Sequence, residues 1–277
     1  MTIKRTLILF FTFTLFFFLP IDGKTSMTDA STYSDFCQKA AKNPDLFKKF
    51  KTYPVYFGIV ENVSKKFGRN YLDIILEQSP ELMQYLAAFK QNDLYGNPKT
   101  YFYPETGNIS PTTLRYIKVA SDLKKEFGSL DNCTIVEVGG GYGGQCKILS
   151  DLFHIKEYII IDLPGPLALA KKYLEKLQVP NVTFIKHTDA IPAKAFDLAI
   201  SNYAVSECTT AMQRKYLERV FASSKNGYVI YNQIAPKTSI YPTKSQVLSM
   251  FSEFQIPWEE HPEKPLTANG NYLLTWN

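Results

Sequence analysis

The residues best suited to chemistry form a glycine run at 139–144, within the stretch "VEVGGGYGG" that begins at Val136. Without a Cβ, a glycine backbone can pass close to a ligand. The run lies between a stretch of β-formers and an amphipathic helix pattern, and this arrangement directs backbone N–H groups at an anion. Two spacings coexist: the G-x-G-x-x-G of dinucleotide-binding loops, ending at Gly144, and a G-x-G-x-G ending at Gly143. The loop therefore predicts a site for a dinucleotide or another nucleotide-like cofactor.

The sequence from Asp131 onward alternates short apolar runs with helical patterns. Consecutive apolar residues, as in "EYIIID" at 157–162, are typical of a strand covered on both faces. Five such alternations predict a doubly wound, mostly parallel sheet, and the last two short runs predict an antiparallel hairpin at one edge. The expected fold is therefore α/β and Rossmann-like, with the glycine loop at the carboxyl end of its first strand.

The residues before this sheet follow a different pattern. From 27 to about 128, apolar residues recur at three- and four-residue spacing, which predicts helices, and no pair of strands is expected. Ser110 and Pro111 have the residue types that start a helix. We therefore expect a helical cap over 27–128, ahead of a cofactor-binding domain over 129–277.

The first 23 residues read as a targeting segment. Two positive charges in "MTIKR" precede a short apolar run that ends in proline, the pattern of a secretory signal peptide or an N-terminal anchor. The run is short for a membrane span, which needs about 20 residues. The expectation is export or membrane association through this segment, whereas translation that starts at Met27 would leave the protein in the cytoplasm.

Charge and cysteine content limit the kinds of ligand that the protein is expected to bind. The net charge of +5 is mild and no basic run is interleaved with aromatic residues, so no nucleic-acid partner is predicted. The four cysteines have neither a C-x-x-C pair nor metal-ligand spacing. Buried thiols and no metal site are therefore expected.

Several stretches, taken in order, resemble the motifs of class I S-adenosylmethionine-dependent methyltransferases: "VEVGGGYGG", "IIIDLP", "HTDAI", "FDLAISNYAVSE" and "GNYLLTWN". Glu137, two residues before the first glycine, occupies a usual acidic position of that motif. The upstream segments "NDLYGNP" and "SPTTLRYIKV", together with "SNYAVSE", are similar to the bacterial sugar O-methyltransferase family. The resemblance covers about 45–277 and implies a class I methyltransferase fold, a mostly parallel seven-stranded sheet with a terminal antiparallel hairpin, and S-adenosyl-L-methionine as the cofactor.

The resemblance also implies roles for individual residues. The glycines let the backbone approach the methionine end of the cofactor, and Glu137 organises the loop or accepts from the ammonium group. Asp162 would accept hydrogen bonds from the ribose hydroxyls, and Asp189 would meet the adenine amino group. The expected cofactor-binding residues are Glu137, Gly139, Gly141, Gly143, Asp162, Leu163, Asp189, Ala190, Asn202 and Arg115.

Methyl transfer to oxygen needs an aligned hydroxyl and a group that removes its proton. Glu207 ranks first as this base because it follows the fourth strand of the sheet, although it could instead cap the helix that starts near Thr209. His261, beside the terminal hairpin, ranks second. Because aromatic rings stack on sugar faces and polar side chains bind hydroxyls, the expected substrate residues are Asn92, Asp93, Tyr116 and Tyr203.

Two other functions stay open from the sequence. The same glycine loop could serve an NAD(P)-dependent oxidoreductase, although such enzymes usually carry the loop near the N-terminus, and here about 100 residues of predicted helix precede it. A methyltransferase-like fold without catalysis could serve as a binding protein. An exported protein would have no obvious supply of a cofactor that is made in the cytosol. The favoured expectation is an O-methyltransferase that acts on a sugar or glycan hydroxyl, with a small molecule or a glycan as its substrate.

Overall fold

The computed structural model describes residues 31–235 and 238–277, so the predicted leader lies outside the described residues. Within those ranges, no helix has both the length and the apolar character that a membrane crossing requires. The α-helices are α1 Ser31–Lys42, α2 Pro44–Phe47, α3 Pro54–Tyr56, α4 Lys65–Gln78, α5 Leu86–Phe89, α6 Pro111–Phe127, α7 Gly144–Leu152, α8 Pro164–Lys176, α9 Thr210–Arg219 and α10 Lys244–Glu253. The strands are β1 Tyr101–Tyr103, β2 Gly107–Ile109, β3 Thr134–Val138, β4 Glu157–Asp162, β5 Val182–Lys186, β6 Phe196–Asn202, β7 Ser224–Tyr231, β8 Glu259–Pro262 and β9 Tyr272–Trp276.

The main sheet has the strand order β5-β4-β3-β6-β7-β9-β8. Strands β3 to β7 pair in parallel, and β9 runs antiparallel to both β7 and β8. The chain starts in the middle at β3, winds outward through β4 and β5, and then returns to β6 on the other side. The predicted doubly wound sheet with a terminal antiparallel hairpin, the class I methyltransferase fold, is confirmed.

The two faces of the sheet have separate apolar cores. On one face, the side chains of β3 and β4 pack in a single cluster with the N-terminal helices, in which α1 lies on α8 and α4 lies on α6. On the other face, α9 and α10 cover the alternate residues of the same strands. The predicted cap therefore shares a continuous core with the sheet, which fixes its position relative to the glycine loop.

Two local expectations for the cap were wrong. The apolar spacing of the predicted helical region reads as one helix through 34–50, but that helix breaks at Asn43, whose side chain accepts from the N–H groups of Asp45 and Leu46 and starts α2. Pro44 favours this break because it takes the first position of a new helix and cannot donate within the old one. The chain before β3 also contains a pair of strands, since β1 and β2 form a short antiparallel ladder.

Candidate active site

A cleft opens at the carboxyl ends of the central strands. It lies where the strand order reverses, between the adjacent strands β3 and β6, the usual position of a ligand site in an open α/β sheet. Its lining residues are Val138, Gly139, Ile161, Asp162, Leu163, His187, Ala204, Cys208, Met212 and Tyr216. The residues from β3, β4 and the loop after β5 belong to the motifs singled out in the sequence. Met212 and Tyr216, on α9, do not, because an apolar residue of a covering helix looks the same in sequence whether it faces a core or a ligand.

The glycine loop uses its glycines in two ways. Gly139, Gly141 and Gly143 have φ values of +83°, +57° and +87°, a region that residues with a Cβ rarely adopt. A Cβ on Gly139 would overlap the side chain of Ala204, whereas nothing lies within 4 Å of a Cβ on Gly141, so that the loop is open there. Gly144 already belongs to α7. The three left-handed positions therefore follow the G-x-G-x-G spacing.

Asp162 holds the glycine loop in place. One carboxylate oxygen accepts from the N–H of Gly141 at 2.9 Å, and the other accepts from the N–H of Leu163 at 2.7 Å. Burial raises the pKa of Asp162 to about 6, although both hydrogen bonds act in the opposite direction. A carboxylate at this strand tip can hold the loop and still offer lone pairs to a hydroxyl in the cleft.

Glu137 lies beneath the loop, where it is 2% exposed, and its carboxylate accepts from the hydroxyl of Tyr158 at 3.0 Å. A Cβ on Gly140 would come within 3.2 Å of it. Burial raises the pKa of Glu137 to about 8, the Tyr158 hydroxyl lowers it and the Asp162 charge raises it. Of the two roles expected for Glu137, this placement favours organising the loop.

We expect Glu137→Gln to flatten the dependence of stability on pH. Between the unfolded pKa of about 4.3 and the folded value of about 8, the folded chain keeps a proton that the unfolded chain has lost. Glu137 therefore lowers stability as pH rises through this window, by at most about 1.4 kcal/mol per pH unit. Urea unfolding at pH 5 and pH 8 measures how much the unfolding free energy changes between the two pH values. An equal change in wild type and in Glu137→Gln would contradict the prediction.

The expected adenine contacts lie at the rim. Asp189 and Ala190 are exposed, in the loop after β5, and neither lines the cleft. Lys215 on α9 fixes this loop by donating to the carbonyl of His187 at 2.8 Å and to that of Asp189 at 3.4 Å. His187 lines the cleft, whereas Asp189 does not.

Asn202 ends β6 beside the cleft. Both polar atoms of its amide are buried and have no hydrogen-bond partner within the described structure. Unpaired buried amides are costly, so a ligand that pairs with them stabilises this arrangement.

Tyr203 follows Asn202 with a φ of +70°, and its hydroxyl donates to the buried carboxylate of Glu263. The guanidinium of Arg115 lies 6.0 Å from the Tyr203 ring centroid and donates to the carbonyl of Val60 at 3.0 Å.

Glu207 lies in a short turn after β6, next to Cys208 of the cleft. Burial raises its pKa to about 7, against a hydrogen bond of 3.2 Å from the Asn232 amide that lowers it. The N-cap of α9 is Thr209, whose hydroxyl accepts from Met212 N–H, so the helix does not use Glu207 as its cap. The carboxyl group is thus a weak acid near the carboxyl ends of the strands, and a group with such a pKa can exchange a proton near neutral pH.

His261 lies apart from Glu207. It belongs to the edge strand β8, and its Nε2 lies 3.0 Å from Thr275 Oγ1 and 3.8 Å from a carboxylate oxygen of Glu259. Thr275 pairs with Tyr228, well before the carboxyl end of β7. The sequence places His261 beside the terminal hairpin, whereas in the structure it lies within the hairpin, where its ladder partner is Leu273 of β9.

Two expected substrate residues lie in a closed network below the loop. Asn92 is fully buried: its amide donates to Tyr142 and Thr113, and its Oδ1 accepts from Tyr173 at 2.7 Å. Asp93 accepts from the hydroxyl of Thr113 and the N–H of Ser110, at the start of α6. A direct role in a sugar pocket does not fit these positions, because the polar groups are already paired within the protein.

The remaining substrate candidate, Tyr116, is 7% exposed and packs against Tyr142 of the glycine loop at a centroid distance of 5.9 Å. The fully buried Lys51 donates to the Asn92 carbonyl at 2.7 Å and lies 4.1 Å from the Tyr142 ring centroid. The cap therefore braces the cofactor loop from beneath, a role that the sequence does not reveal.

Helix α1 closes the outer side of the Asp162 region. The N–H of Gly165, three residues after Asp162, donates to Ser34 Oγ at 3.1 Å. Cys37, one turn along α1, is fully buried. Burial raises the pKa of the Cys37 thiol, and the nearby Asp162 carboxylate raises it further. The first cap helix is thus seated beside the carboxylate expected to hold the ribose.

We expect Gly165→Ala to displace α1. A Cβ at this position would overlap the backbone carbonyl of Ser34, which cannot move aside as a side chain can. Overpacking of this kind costs about 1–3 kcal/mol of unfolding free energy. Urea unfolding measures that loss, and faster alkylation of Cys37 reports the displacement. Gly58→Ala is the control, because nothing lies within 4 Å of its added Cβ. Equal unfolding free energies and equal Cys37 alkylation rates in the two variants would contradict the close packing of α1 against Gly165.

No protein-family profile matches the sequence. Among curated proteins, the chain is similar to the arsenite methyltransferases of Mus musculus and Rattus norvegicus, at 33% identity over 116 residues in each case. The alignment covers 37% of this chain and only 30% and 31% of the two relatives' own lengths.

Solved structures with a similar arrangement include a SAM-dependent methyltransferase from Aquifex aeolicus, with 18% identity, a TM-score of 0.43, and coverage of 56% of this chain and 85% of that one. Another is SAM-bound CalS10, an amino pentose methyltransferase from Micromonospora echinaspora, with 15% identity, a TM-score of 0.43, and coverage of 58% and 89%. The sequence similarity and the observed strand order agree with the class I methyltransferase resemblance and with S-adenosylmethionine as the cofactor.

Proposed function

We propose that this chain, which has the fold of the class I S-adenosylmethionine-dependent methyltransferases, transfers the cofactor's methyl group to a hydroxyl oxygen of a sugar or glycan. The observation that carries the proposal is the position of Glu207. A half-buried carboxyl group with a pKa of about 7 lies in the turn after β6, next to Cys208 of the cleft. Transfer to an oxygen needs such a base, because the hydroxyl must lose its proton as the new bond forms.

The residues around the cleft fit the cofactor. The open side of Gly141 gives room for the methionine end, and the unpartnered amide of Asn202 can pair with its polar groups. Asp162 offers lone pairs to ribose hydroxyls. When bound, the cofactor supplies a methyl group on a positively charged sulfur, and the sulfur keeps the bonding electron pair when the methyl group leaves.

The protein's own contribution is alignment and proton removal. Holding the hydroxyl and the methyl group in the reactive geometry supplies a large part of the rate acceleration. Glu207 then accepts the proton of the attacking hydroxyl. In water a glutamate has a pKa of about 4.3, so the raised value makes Glu207 a stronger base while leaving a substantial fraction ionised at neutral pH.

The two alternatives are less well supported. An oxidoreductase fits the same strand and loop, but the left-handed glycines follow G-x-G-x-G, and an antiparallel β9 lies beside β7. A non-catalytic binding protein gives no reason for a half-buried carboxyl group with a raised pKa next to the cleft. Arsenite, the acceptor named for the curated relatives, is the competing acceptor.

Transfer of radiolabelled methyl groups tests the proposal. The purified chain is incubated with labelled S-adenosylmethionine and, separately, with methyl glycosides of common hexoses, with arsenite plus a thiol, and with no acceptor. We expect label in at least one glycoside and none above background in arsenite. Labelling of arsenite alone would contradict the oxygen acceptor, and no labelling of any acceptor, with the cofactor bound, would favour the binding protein.

A further inference from the structure

Asn232 is a polar residue at the catalytic edge that the sequence motifs do not include. It follows β7 directly, so it lies beside the tip of β6. Its backbone N–H donates to Ser206 Oγ at 3.2 Å, and its side-chain amide donates to Glu207 Oε1 at 3.2 Å. The two strand tips are therefore joined through Asn232, and its amide is held against the carboxyl group that we propose as the base.

The carboxylate of Glu207 fixes the direction of the Asn232 amide. An ionised carboxylate only accepts hydrogen bonds, so the NH₂ group must face Glu207 and the carbonyl oxygen must face away. That oxygen, Oδ1, is buried and has no hydrogen-bond partner in the described structure. A buried acceptor without a donor is unfavourable, so this position suits a ligand that donates a hydrogen bond.

The surroundings select against negatively charged acceptors. The ionisation of Glu207 responds to burial and to the Asn232 amide. The titratable neighbours on this side are Cys208 and Tyr241, and the pKa of the Tyr241 phenol is raised first by burial and then by the charges of Cys208 and Glu207. Within the described ranges, no hydrogen bond or ion pair brings a cation to Glu207. A phosphate or carboxylate on the acceptor would be repelled by the ionised base.

We propose that Asn232 is a specificity residue that binds a second hydroxyl, next to the one that is methylated, so that the acceptor is a vicinal diol without an anionic group. The inference rests on the proposed O-methylation at the same edge. One hydroxyl gives its proton to Glu207, forms the new oxygen–methyl bond and takes the methyl group from sulfur. The neighbouring hydroxyl donates to Asn232 Oδ1. Adjacent hydroxyls suit this pair, because Asn232 and Glu207 are themselves in hydrogen-bond contact.

The test compares two kinds of acceptor, intact and deoxy glycosides, in wild type and in Asn232→Leu. The acceptors are methyl glycosides of glucose, galactose, mannose and rhamnose, each paired with analogues that lack one hydroxyl. In wild type, removal of the neighbouring hydroxyl should lower kcat/KM roughly 10- to 100-fold, because a buried acceptor is left unpaired. In Asn232→Leu, the intact glycoside should lose a similar factor, while the deoxy analogue should be methylated as fast as, or faster than, by wild type.

A structural role would give a different pattern, in which Asn232→Leu slows both acceptors equally. The rate–pH profile adds an independent readout: removing the Asn232 hydrogen bond should raise the pKa of Glu207 above about 7 and move the profile to higher pH. The control is Asn226→Leu, at the opposite end of β7, where the amide donates to the Asp197 carbonyl at 3.0 Å. It should preserve the preference for the diol.

The outcomes separate this inference from the proposed function. Equal rates for intact and deoxy glycosides in wild type, or an equal loss on both in Asn232→Leu, would overturn the diol and leave O-methylation standing. Transfer to none of the glycosides, with cofactor binding retained, would overturn the proposed O-methylation and the diol with it.

Discussion

Glu207→Gln should lower turnover by about 10²–10⁴-fold while cofactor affinity stays within about threefold. The substitution keeps the size of the side chain and its contact with Asn232, but it removes the group that accepts the proton. Wild-type turnover should rise with pH through about 7, because only the ionised carboxylate is a base. Rates measured from pH 5 to pH 9, beside calorimetry with S-adenosylhomocysteine, separate catalysis from binding.

The control for Glu207→Gln is Glu218→Gln on the exposed side of α9, which removes the same charge from a side chain that is 53% exposed. It should change neither turnover nor binding. Full activity in Glu207→Gln would show that Glu207 is not the base. A parallel test of His261→Gln would show whether the second candidate acts, although it lies apart from the cleft.

Asp162→Ala should weaken cofactor binding by roughly 1.5–3 kcal/mol, which corresponds to about 10- to 150-fold in affinity. The variant loses the carboxylate expected to hold the ribose, and it also releases the N–H groups of Gly141 and Leu163. Because the pKa of Asp162 is about 6, wild-type affinity should fall as pH drops below that value.

Asp162→Asn separates the two contributions to this loss. Its amide oxygen can still accept from one N–H group of the loop, but it carries no charge and its NH₂ group cannot replace the second acceptor. We expect an intermediate loss of affinity that is constant between pH 5 and pH 8. Unchanged affinity in Asp162→Ala would show that the ribose lies elsewhere.

The sequence predicts the sheet and the glycine loop well because their signals are local. Consecutive apolar residues fix β3 and β4, and three glycines with left-handed φ fix the turn. The cofactor edge follows from the strand order alone, since the carboxyl ends of parallel strands meet there. The resemblance to class I methyltransferases and the cofactor follow from the same residues.

The cap contacts could not be predicted, because each joins residues far apart in the chain. Asn92 looked like a sugar-binding amide, but its partner Tyr173 lies 81 positions later, and no local pattern announces that pairing. The hydrogen bond that holds α1 against Gly165 joins two residues that are 131 positions apart in the chain. Asn232 could not be predicted for a different reason: a single asparagine after a strand looks like an ordinary turn residue.

Titration calorimetry with S-adenosylhomocysteine and with NADH tests the central claim most directly, because the whole account depends on which nucleotide occupies the cleft beside Gly139 and Asp162. Our account predicts saturable, one-to-one binding of S-adenosylhomocysteine that Asp162→Ala weakens, and no heat from NADH. Saturable binding of NADH with no heat from S-adenosylhomocysteine would contradict it.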